Sequence, residues 1–345
     1  MYLLLWALCG PSAMLPYPRK FDVVITWLNT SSQSWQDAPR NNHGPTDPRF
    51  FEGVNLSNTF IELKYTVLSL EKYMKPFLNT IYIVHSDLHD HPSYLKERDN
   101  LKFVTHSQIL DTECLPTFNR NAILTGLHRI PKLLDWYIYL EDDIMLTQYF
   151  QLDSFYRHGS AITINNGRYT ANHHKRPNNG YTGAVWTSAH VLEQRFGKRA
   201  RQGGSHSPIV MWKPVWADIE RIWSRELRAT CLNRIQQPED VLPQSLVAEY
   251  MIDVGLAIPY SGFSIAQIHT NGGCCSKCDG IIYMGTESCA MSVRKWLNVH
   301  SKKSTWINVQ GPGFDDAYRF RLHKREYSPV LEQVAHTWFD TYYSA

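Results

Sequence analysis

Four apolar runs of strand length lie in the first 145 residues, each bounded by polar or turn-forming positions. Valine, isoleucine and tyrosine are frequent in these runs, as is typical of buried β-strands. The predicted strands are Phe21–Leu28, Thr80–His85, Leu101–Thr105 and Trp136–Leu140.

Helical spacing appears between these runs. Asn58 is a candidate cap and Pro76 a stop for a first helix, whose apolar residues recur at Leu63, Val67, Leu70 and Met74. A second helix is predicted from about Asn119 to Ile130, ending at Pro131. The order strand, helix, strand, strand, helix, strand predicts an α/β domain with a mostly parallel sheet flanked by helices.

The second half of the chain predicts a small β-rich insertion at residues 161–187, which are rich in Asn, Gly and His. Helices are predicted near 213–228 and 239–254, the latter with Pro238 at its first position and Gly255 after its end. Later elements are two short strands and a final helix, at Phe263–Ile268, Thr305–Val309 and Ser328–Tyr342. Because no linker separates these blocks, residues 21–345 are predicted to form one domain.

Composition narrows the class of protein. Of the 345 residues, 43% are hydrophobic and 19% charged, so the chain can bury a large core and is not disordered. Its formal net charge of +3 is too balanced for a nucleic-acid coat or a polybasic membrane patch. A fibre, a membrane bundle and a small disulfide scaffold are excluded, and no nucleic-acid partner is expected.

The first nine residues, Met1–Cys9, are apolar but far shorter than the roughly 20 residues of a spanning helix. We therefore expect residues 1–20 to be a signal-like segment or a truncated anchor; a plain apolar start is the alternative. This expectation implies the secretory pathway, with membrane anchorage through a longer N-terminus.

Seven cysteines are present, four of them in a Gly-rich segment, at Cys274, Cys275, Cys278 and Cys289. A disulfide-stapled loop and a four-cysteine zinc site are both compatible with this cluster. A zinc site usually has two separated pairs, which favours disulfides, and either arrangement is structural.

Three consecutive carboxylates follow the strand at 136–140: Glu141, Asp142 and Asp143. Open α/β sheets bind ligands at the carboxyl ends of their strands, and three adjacent anions need a cation or donors to compensate them. Oxygen ligands suit Mg²⁺ or Mn²⁺, which bind through one or two carboxylates and substrate phosphates. A solvated acidic turn is the competing interpretation.

The first strand also ends in polar residues. Trp27 offers a stacking face, and Asn29 offers a hydrogen-bonding pair for a base or ribose, which together suggest a nucleotide site. A tryptophan that ends a strand is, however, often part of the core. Asp22 is an unusual charge near the start of the same strand and could instead cap it.

Two further candidates lie in the second half. His206 is in a Gly- and Ser-rich turn, from which a general acid or base could reach a substrate, although an exposed loop histidine fits equally. Arg234 precedes the predicted helix at 239, where an arginine can clamp a phosphate.

Ordered motifs along the chain carry a resemblance to a known family. Phe21–Asn29 reads FDVVITWLN, and a long second block runs from Glu62 through Leu115–Asn119 and His128–Pro131 to Tyr139–Asp143. Together with weaker third and fourth blocks, these motifs resemble the Stealth family. Its members include the N-acetylglucosamine-1-phosphotransferase catalytic subunit, capsule polysaccharide phosphotransferases and fungal xylosylphosphotransferases. The family-like regions are about 21–31, 57–157, 205–255 and 304–342, which implies one Stealth-type catalytic domain.

The third block is a weaker match, and the fourth departs most from the family. His206-Ser-Pro resembles a His-x-Pro block, and Asn233-Arg234 with Glu239-Asp240 resembles an arginine-then-acidic pair. In the fourth block Gln310 replaces a carboxylate, and Glu141 stands where the N-acetylglucosamine phosphotransferases carry Asn. Both departures leave the sugar open.

The resemblance implies a GT-A-like, Rossmann-like sheet and a reaction. A sugar-1-phosphate passes from a nucleotide-diphosphate sugar of the UDP-GlcNAc or UDP-xylose type to a hydroxyl of a glycan or glycoprotein acceptor, and a nucleoside monophosphate is released. The location implied is the Golgi lumen.

The resemblance also implies roles for nine residues. Asp142 and Asp143 would bind Mg²⁺ or Mn²⁺ and activate the acceptor, with Asn308 near the metal. His206 would be an acid or base and Arg234 a phosphate clamp. The nucleotide wall would be formed by Asp22, Thr26, Trp27 and Asn29.

Two rival functions stay open. A metal-dependent glycosyltransferase would use the same acid pair but release UDP. A catalytically degenerate protein would bind glycans or sugar nucleotides without turnover, and Gln310 and Glu141 favour that alternative.

Overall fold

A computed structural model describes residues 14–29, 32–34, 62–89, 91–164, 175–201, 208–260, 265–269, 281–283, 298, 306–310 and 329–344. Within these ranges the chain forms three β-sheets covered by helices. The predicted α/β class with a mostly parallel sheet is confirmed.

The main sheet has five strands in the order β3-β2-β1-β4-β8. The first four of these run parallel, and β8 pairs antiparallel with β4. Their bounds are β1 Phe21–Thr26, β2 Leu78–His85, β3 Leu101–Thr105, β4 Trp136–Glu141 and β8 Ile209–Trp212. The central strands β1 and β4 are buried until their last residue, because helices cover both faces of a parallel sheet.

Two smaller sheets extend the fold. The four-stranded sheet has the order β11-β10-β12-β5, with β5 antiparallel to β12 and the other pairs parallel. The three-stranded sheet has the order β6-β7-β9. Their bounds are β5 Ile144–Leu146, β6 Tyr156–Arg157, β7 Ser160–Ile164, β9 Ala257–Tyr260, β10 Ile265–His269, β11 Ile281–Tyr283 and β12 Trp306–Gln310.

Seven α-helices lie within the described ranges. They are α1 Glu62–Tyr73, α2 Arg120–Thr125, α3 Gly180–Phe196, α4 Trp216–Ile222, α5 Ser224–Leu232, α6 Pro243–Asp253 and α7 Pro329–Ser344. Among these helices, none is both long and apolar enough to cross a bilayer.

The main core lies between the central sheet and these helices, and β1, β2, β4 and α1 each contribute several of its members. An Asp22 carboxylate and several hydroxyl groups are buried with it. The fully buried apolar side chains of the central strands include Val23, Val24, Ile25, Ile81, Ile83, Ile138 and Leu140.

Several predicted helices have different bounds. The helix predicted at 119–130 is shorter: Asn119 caps α2, which ends before Gly126, and a 3₁₀ turn follows at Leu127–Arg129. A Cβ at position 126 would lie 2.5 Å from the Ile109 carbonyl oxygen, so the chain passes too close to its neighbour for any other residue. The first helix begins at Glu62, and Asn58 lies outside the described residues.

The predicted helix at 213–228 is a 3₁₀ turn followed by two helices, α4 and α5, with Trp223 between them. The helix predicted at 239–254 starts later, and Pro243 rather than Pro238 takes its first turn. Gly255 follows its end with φ of +76°, the left-handed conformation that favours glycine after a helix.

The β-rich insertion predicted at 161–187 is wrong in its second half. Residues 160–164 form β7, but residues 180–196 form α3, whose Asn179 side chain accepts from the Thr182 N–H and so caps the helix. The Asn and Gly residues that suggest loops thus include a helix cap and a first-turn position.

The disulfide of the described residues joins Cys114 to Cys231, which ties the segment before α2 to the end of α5. Its Cα atoms are 5.4 Å apart. The cysteine cluster at residues 274–289 lies outside the described residues.

Candidate functional site

The carboxyl ends of β1, β2 and β4 meet at one edge of the main sheet. Thr26 at the end of β1 is in register with Val84 on one side and with Glu141 on the other. Polar residues that follow these strands are therefore neighbours in space, as the parallel sheet predicts.

The acidic residues after β4 form a turn that joins the main sheet to β5. Asp142 and Asp143 are half-buried, and the Thr66 hydroxyl of α1 donates to the Asp142 carbonyl at 2.6 Å. Burial and the adjacent Glu141 charge raise the pKa of Asp142 to about 7, while the charge of Arg120 opposes the rise. The turn thus has an excess of negative charge within a partly desolvated corner.

Arg120 balances part of this charge. Its guanidinium Nη1 lies 2.5 Å from the Glu141 carboxylate, and Nη2 donates to the Gln244 side chain at 3.1 Å. Arg120 belongs to the first turn of α2 and Gln244 to the first turn of α6, so three elements converge at the end of β4.

An aromatic wall borders the same edge. The Trp27 indole meets the His89 imidazole edge to face, with ring centroids 5.2 Å apart, and the Asn29 N–H donates to His89 Nε2 at 3.2 Å. Beneath them the Thr26 and Tyr139 hydroxyls are 3.1 Å apart. Trp27 and Asn29 are half-buried, so the wall combines a ring surface with amide groups.

Two further histidines lie behind this wall, at the ends of β2 and β3. Burial lowers the pKa of His106 to about 4, although the Asp87 charge opposes the shift, and burial also lowers the pKa of His85. Both rings are therefore neutral near pH 7. His85 lies parallel to His89, with centroids 5.8 Å apart.

Asp22 lies at the opposite end of β1 from this edge. It is fully buried, and its carboxylate accepts from Asn79 Nδ2 at 2.7 Å, the Thr80 N–H at 3.1 Å and the Leu134 N–H at 2.7 Å. Thr26 lies four positions further along the strand, at a distance of about 13 Å. The structure thus gives Asp22 a role in joining β1 to its neighbours, and does not bring it to the predicted nucleotide wall.

Arg234 also lies apart from the acidic turn. Its Nη1 donates to the Pro116 carbonyl at 2.7 Å and its Nη2 to the Glu113 carbonyl at 3.1 Å, so its guanidinium holds the segment before α2. Helix α6 begins only at Pro243, so Arg234 does not stand directly before a helix.

His206 lies outside the described residues. Asn308 is on β12, in antiparallel register with Ile144, the residue after Asp143. The backbone at Asn308 is therefore next to the acidic turn, and its role near a metal stays a prediction.

A buried carboxylate, Asp240, secures the start of α2. It accepts from Asn119 Nδ2 at 2.8 Å, from Asn233 Nδ2 at 2.7 Å and from the Gln237 N–H at 2.9 Å. Asn119 in turn caps α2 by accepting from the Asn121 N–H. The Asn233–Asp240 block therefore fixes the helix that carries Arg120.

The described residues contain no group of three or more His, Cys, Asp or Glu side chains arranged to hold a metal ion. A magnesium ion, however, is often held by one or two carboxylates together with substrate phosphates. Asp142 and Asp143 are adjacent carboxylates in a negatively charged corner, so their chemistry fits Mg²⁺ or Mn²⁺ if phosphate oxygens complete the coordination shell.

Sequence reasoning missed Arg120, His89 and Tyr94. Tyr94 is partly exposed, and burial together with the charges of Asp142 and Glu62 raises the pKa of its hydroxyl. The sequence signal for this region was present, because the predicted second strand ends at His85 and is followed by polar residues. Arg120 gave no such signal, because only the fold brings it to Glu141.

Residues 57–164 match the family profile of Stealth protein CR2, conserved region 2. This match spans α1, the acidic turn and β7, and it confirms the resemblance to the Stealth family. The chain thus carries a conserved region of the Stealth proteins, which includes Asp142 and Asp143.

The curated relatives of this chain include capsular polysaccharide phosphotransferases. Over 243 residues the chain is 27% identical to the capsular polysaccharide phosphotransferase fcs1 of Haemophilus influenzae, covering 67% of this chain and 64% of that protein. It is 33% identical over 161 residues to the capsular polysaccharide phosphotransferase LcbA of Neisseria meningitidis, covering 44% of this chain and 41% of that protein. The chain thus spans less than two thirds of the length of either relative.

Solved glycosyltransferases are more distant. The galactosyltransferase LgtC gives a TM-score of 0.42 at 10% identity, covering 92% of this chain and 94% of that one. The glycosyltransferase GlyE of Streptococcus pneumoniae gives a TM-score of 0.38 at 12% identity, covering 94% of this chain and 62% of that one.

Proposed function

We propose that this protein transfers a sugar-1-phosphate from a nucleotide-diphosphate sugar to a hydroxyl of a glycan acceptor and releases a nucleoside monophosphate. The observation that carries the proposal is the meeting of Asp142 and Asp143 with the aromatic wall of Trp27 and His89 at one sheet edge. A base or ribose against the wall would direct its diphosphate toward the carboxylates. The phosphotransferase names of the relatives support the same reaction class.

The chemistry asks little of the protein beyond positioning and charge. The acceptor oxygen attacks the phosphorus next to the sugar, and the bond between that phosphorus and the bridging oxygen breaks. The acceptor proton goes to a base, and the nucleoside monophosphate leaves with the bridging oxygen. The anomeric C–O bond stays intact, so the main demands are alignment and neutralisation of the diphosphate.

Within this proposal Asp142 and Asp143 would hold a divalent cation, which when bound would neutralise phosphate charge. Asp143 is our candidate for activating the acceptor, since a carboxylate at the sheet edge can accept a proton. The Thr26 hydroxyl, 3.1 Å from that of Tyr139, would contribute a donor at the floor of the nucleotide wall. His206 and Asn308 retain their predicted roles as acid or base and as a neighbour of the cation.

We also propose that the protein works in an oxidising compartment of the secretory pathway, such as the Golgi lumen. The disulfide between Cys114 and Cys231 supports this location, because such bonds persist mainly in oxidising compartments. A glycan or glycoprotein would then be the acceptor.

The experiment is a screen of UDP-GlcNAc, UDP-xylose and GDP-mannose with Mn²⁺, in which the released nucleotide is identified by chromatography. Release of a monophosphate supports sugar-phosphate transfer, whereas release of a diphosphate would assign glycosyl transfer. Binding by calorimetry without turnover would assign a binding protein.

Asp143→Asn tests the site within the same assay. We expect the variant to lose turnover while its denaturation midpoint stays unchanged, because asparagine keeps the size of this half-buried side chain and removes its charge. The matched control is Asp153→Asn, which neutralises an exposed carboxylate elsewhere. Near-normal turnover in Asp143→Asn would remove this residue from the mechanism.

A further inference from the structure

Arg120 is a positively charged side chain that the fold places at the acidic turn. Its guanidinium contacts Glu141 at 2.5 Å and Gln244 at 3.1 Å, and its side chain keeps 33% of its exposure. Its charge also acts on Asp142 and on the buried Tyr139 hydroxyl, so it lies within electrostatic range of both the carboxylates and the nucleotide wall.

The charge balance of the proposed reaction calls for such a group. A diphosphate that approaches Asp142 and Asp143 brings more negative charge into a corner that already has an excess. A planar guanidinium can bind two phosphate oxygens at once, which makes arginine the side chain best suited to this contact. Arg234, the predicted phosphate clamp, instead donates to the Pro116 and Glu113 carbonyls.

The surroundings of Arg120 fix it in place. Asn119 caps its helix and is held by the buried Asp240 carboxylate, which also accepts from Asn233. Gln244 also accepts from the Arg120 guanidinium, and a side chain that is already ordered loses less entropy when it binds a ligand, so this arrangement favours a preorganised contact. The Asn233–Asp240 block then acts by holding the helix of Arg120, and Arg234 need not contact the phosphate.

We propose that Arg120 is a further binding residue, which contacts the diphosphate of the nucleotide-sugar donor and is held in readiness by Glu141. The proposal rests on the proposed function for the identity of the ligand. Without a ligand Glu141 pairs with the guanidinium, and the phosphate oxygens of the donor would compete with its carboxylate for Arg120.

The test compares binding of UDP and of uridine, in EDTA and in Mn²⁺, by calorimetry and by ligand-observed NMR. In Arg120→Gln we expect UDP to bind about 10- to 100-fold more weakly, the effect of losing a charge-assisted hydrogen bond, while uridine binding is unchanged. Arg120→Lys, which keeps the charge but not the fork, should lie between. Arg129→Gln removes an exposed charge from the neighbouring 3₁₀ turn and should stay within about twofold of the parent.

Glu141→Gln is a second variant, for which the expected change in UDP affinity has the opposite sign. Because it removes a negative charge and a competing partner of Arg120, we expect UDP to bind more tightly in EDTA. Unchanged UDP affinity in Arg120→Gln would overturn the proposal, as would an equal loss of UDP and uridine, which a purely structural role would cause. Absence of UDP binding by the parent protein would overturn it too.

Failure of this inference is distinguishable from failure of the proposed function. If Arg120→Gln binds UDP as the parent does but monophosphate release is seen, the function stands and the inference fails. If UDP binding depends on Arg120 and every donor is left intact, the inference stands and the proposed turnover fails.

Discussion

Replacement of Asp22 separates a structural carboxylate from a nucleotide contact. In Asp22→Ala the Asn79 amide and the N–H groups of Thr80 and Leu134 all lose their acceptor in a fully buried place. At about 1 kcal/mol or more for each buried donor left unsatisfied, the free energy of unfolding should fall by about 3–5 kcal/mol.

Asp22→Asn should cost less. Its amide oxygen can keep the contacts with Asn79 and Thr80, and its NH₂ group then faces only the Leu134 N–H, a loss of about 1–2 kcal/mol. Burial is the largest influence on Asp22 and raises its pKa above the usual value. A raised folded pKa means that the stability linked to Asp22 is fully present below the unfolded pKa and is lost as the pH rises through the folded pKa. The asparagine variant should lack this dependence.

Denaturant unfolding between about pH 3 and pH 8 measures both effects, and nucleotide affinity is measured on the folded variants. We expect Asp22→Asn to bind UDP as the parent does. The reasoning would be refuted if Asp22→Ala unfolded at the parent midpoint, or if Asp22→Asn lost UDP affinity at unchanged stability.

Two other predictions concern stability. Replacing Cys114 and Cys231 together by Ala removes a cross-link between residues 117 positions apart, which should lower the free energy of unfolding by about 2–5 kcal/mol. Denaturant unfolding without reductant measures this loss, and an unchanged midpoint would contradict it. Hydrogen bonding to His128, with further help from Arg129, lowers the pKa of Glu220 to about 2. The stability that Glu220 contributes is therefore present above its unfolded pKa and is lost as the pH falls toward 2. In Glu220→Gln the free energy of unfolding should depend less steeply on pH in that range. A pH dependence equal to that of the parent would contradict this prediction.

The sequence predicted the central sheet well because its strands are buried and nearly continuous in apolar character. Trp136–Glu141 has all but its last residue buried, and the predicted run ends one residue earlier. The same reasoning placed the acidic turn, since a carboxylate cluster after a buried strand has few other locations.

Contacts made by distant segments were not predictable from local patterns. Asn179 looked like a loop residue because asparagine favours turns, but it caps α3 through Thr182. The family resemblance placed Asp22 in the nucleotide wall, and only the register of β1 with β2 shows that Asn79 and Thr80 surround it. Arg120 and Glu141 are 21 positions apart, a spacing that no helix or strand period connects.

Helix α1 contacts both the acidic turn and the C-terminal helix α7. Its Thr66 holds the carbonyl of Asp142, while Tyr65 on the same helix stacks on Phe339 of α7 and donates to Asp340. Shortening the protein from its C-terminus would thus remove a brace from the acidic turn without touching a single group that meets the donor. Loss of activity in such a deletion should not be read as the loss of a catalytic residue.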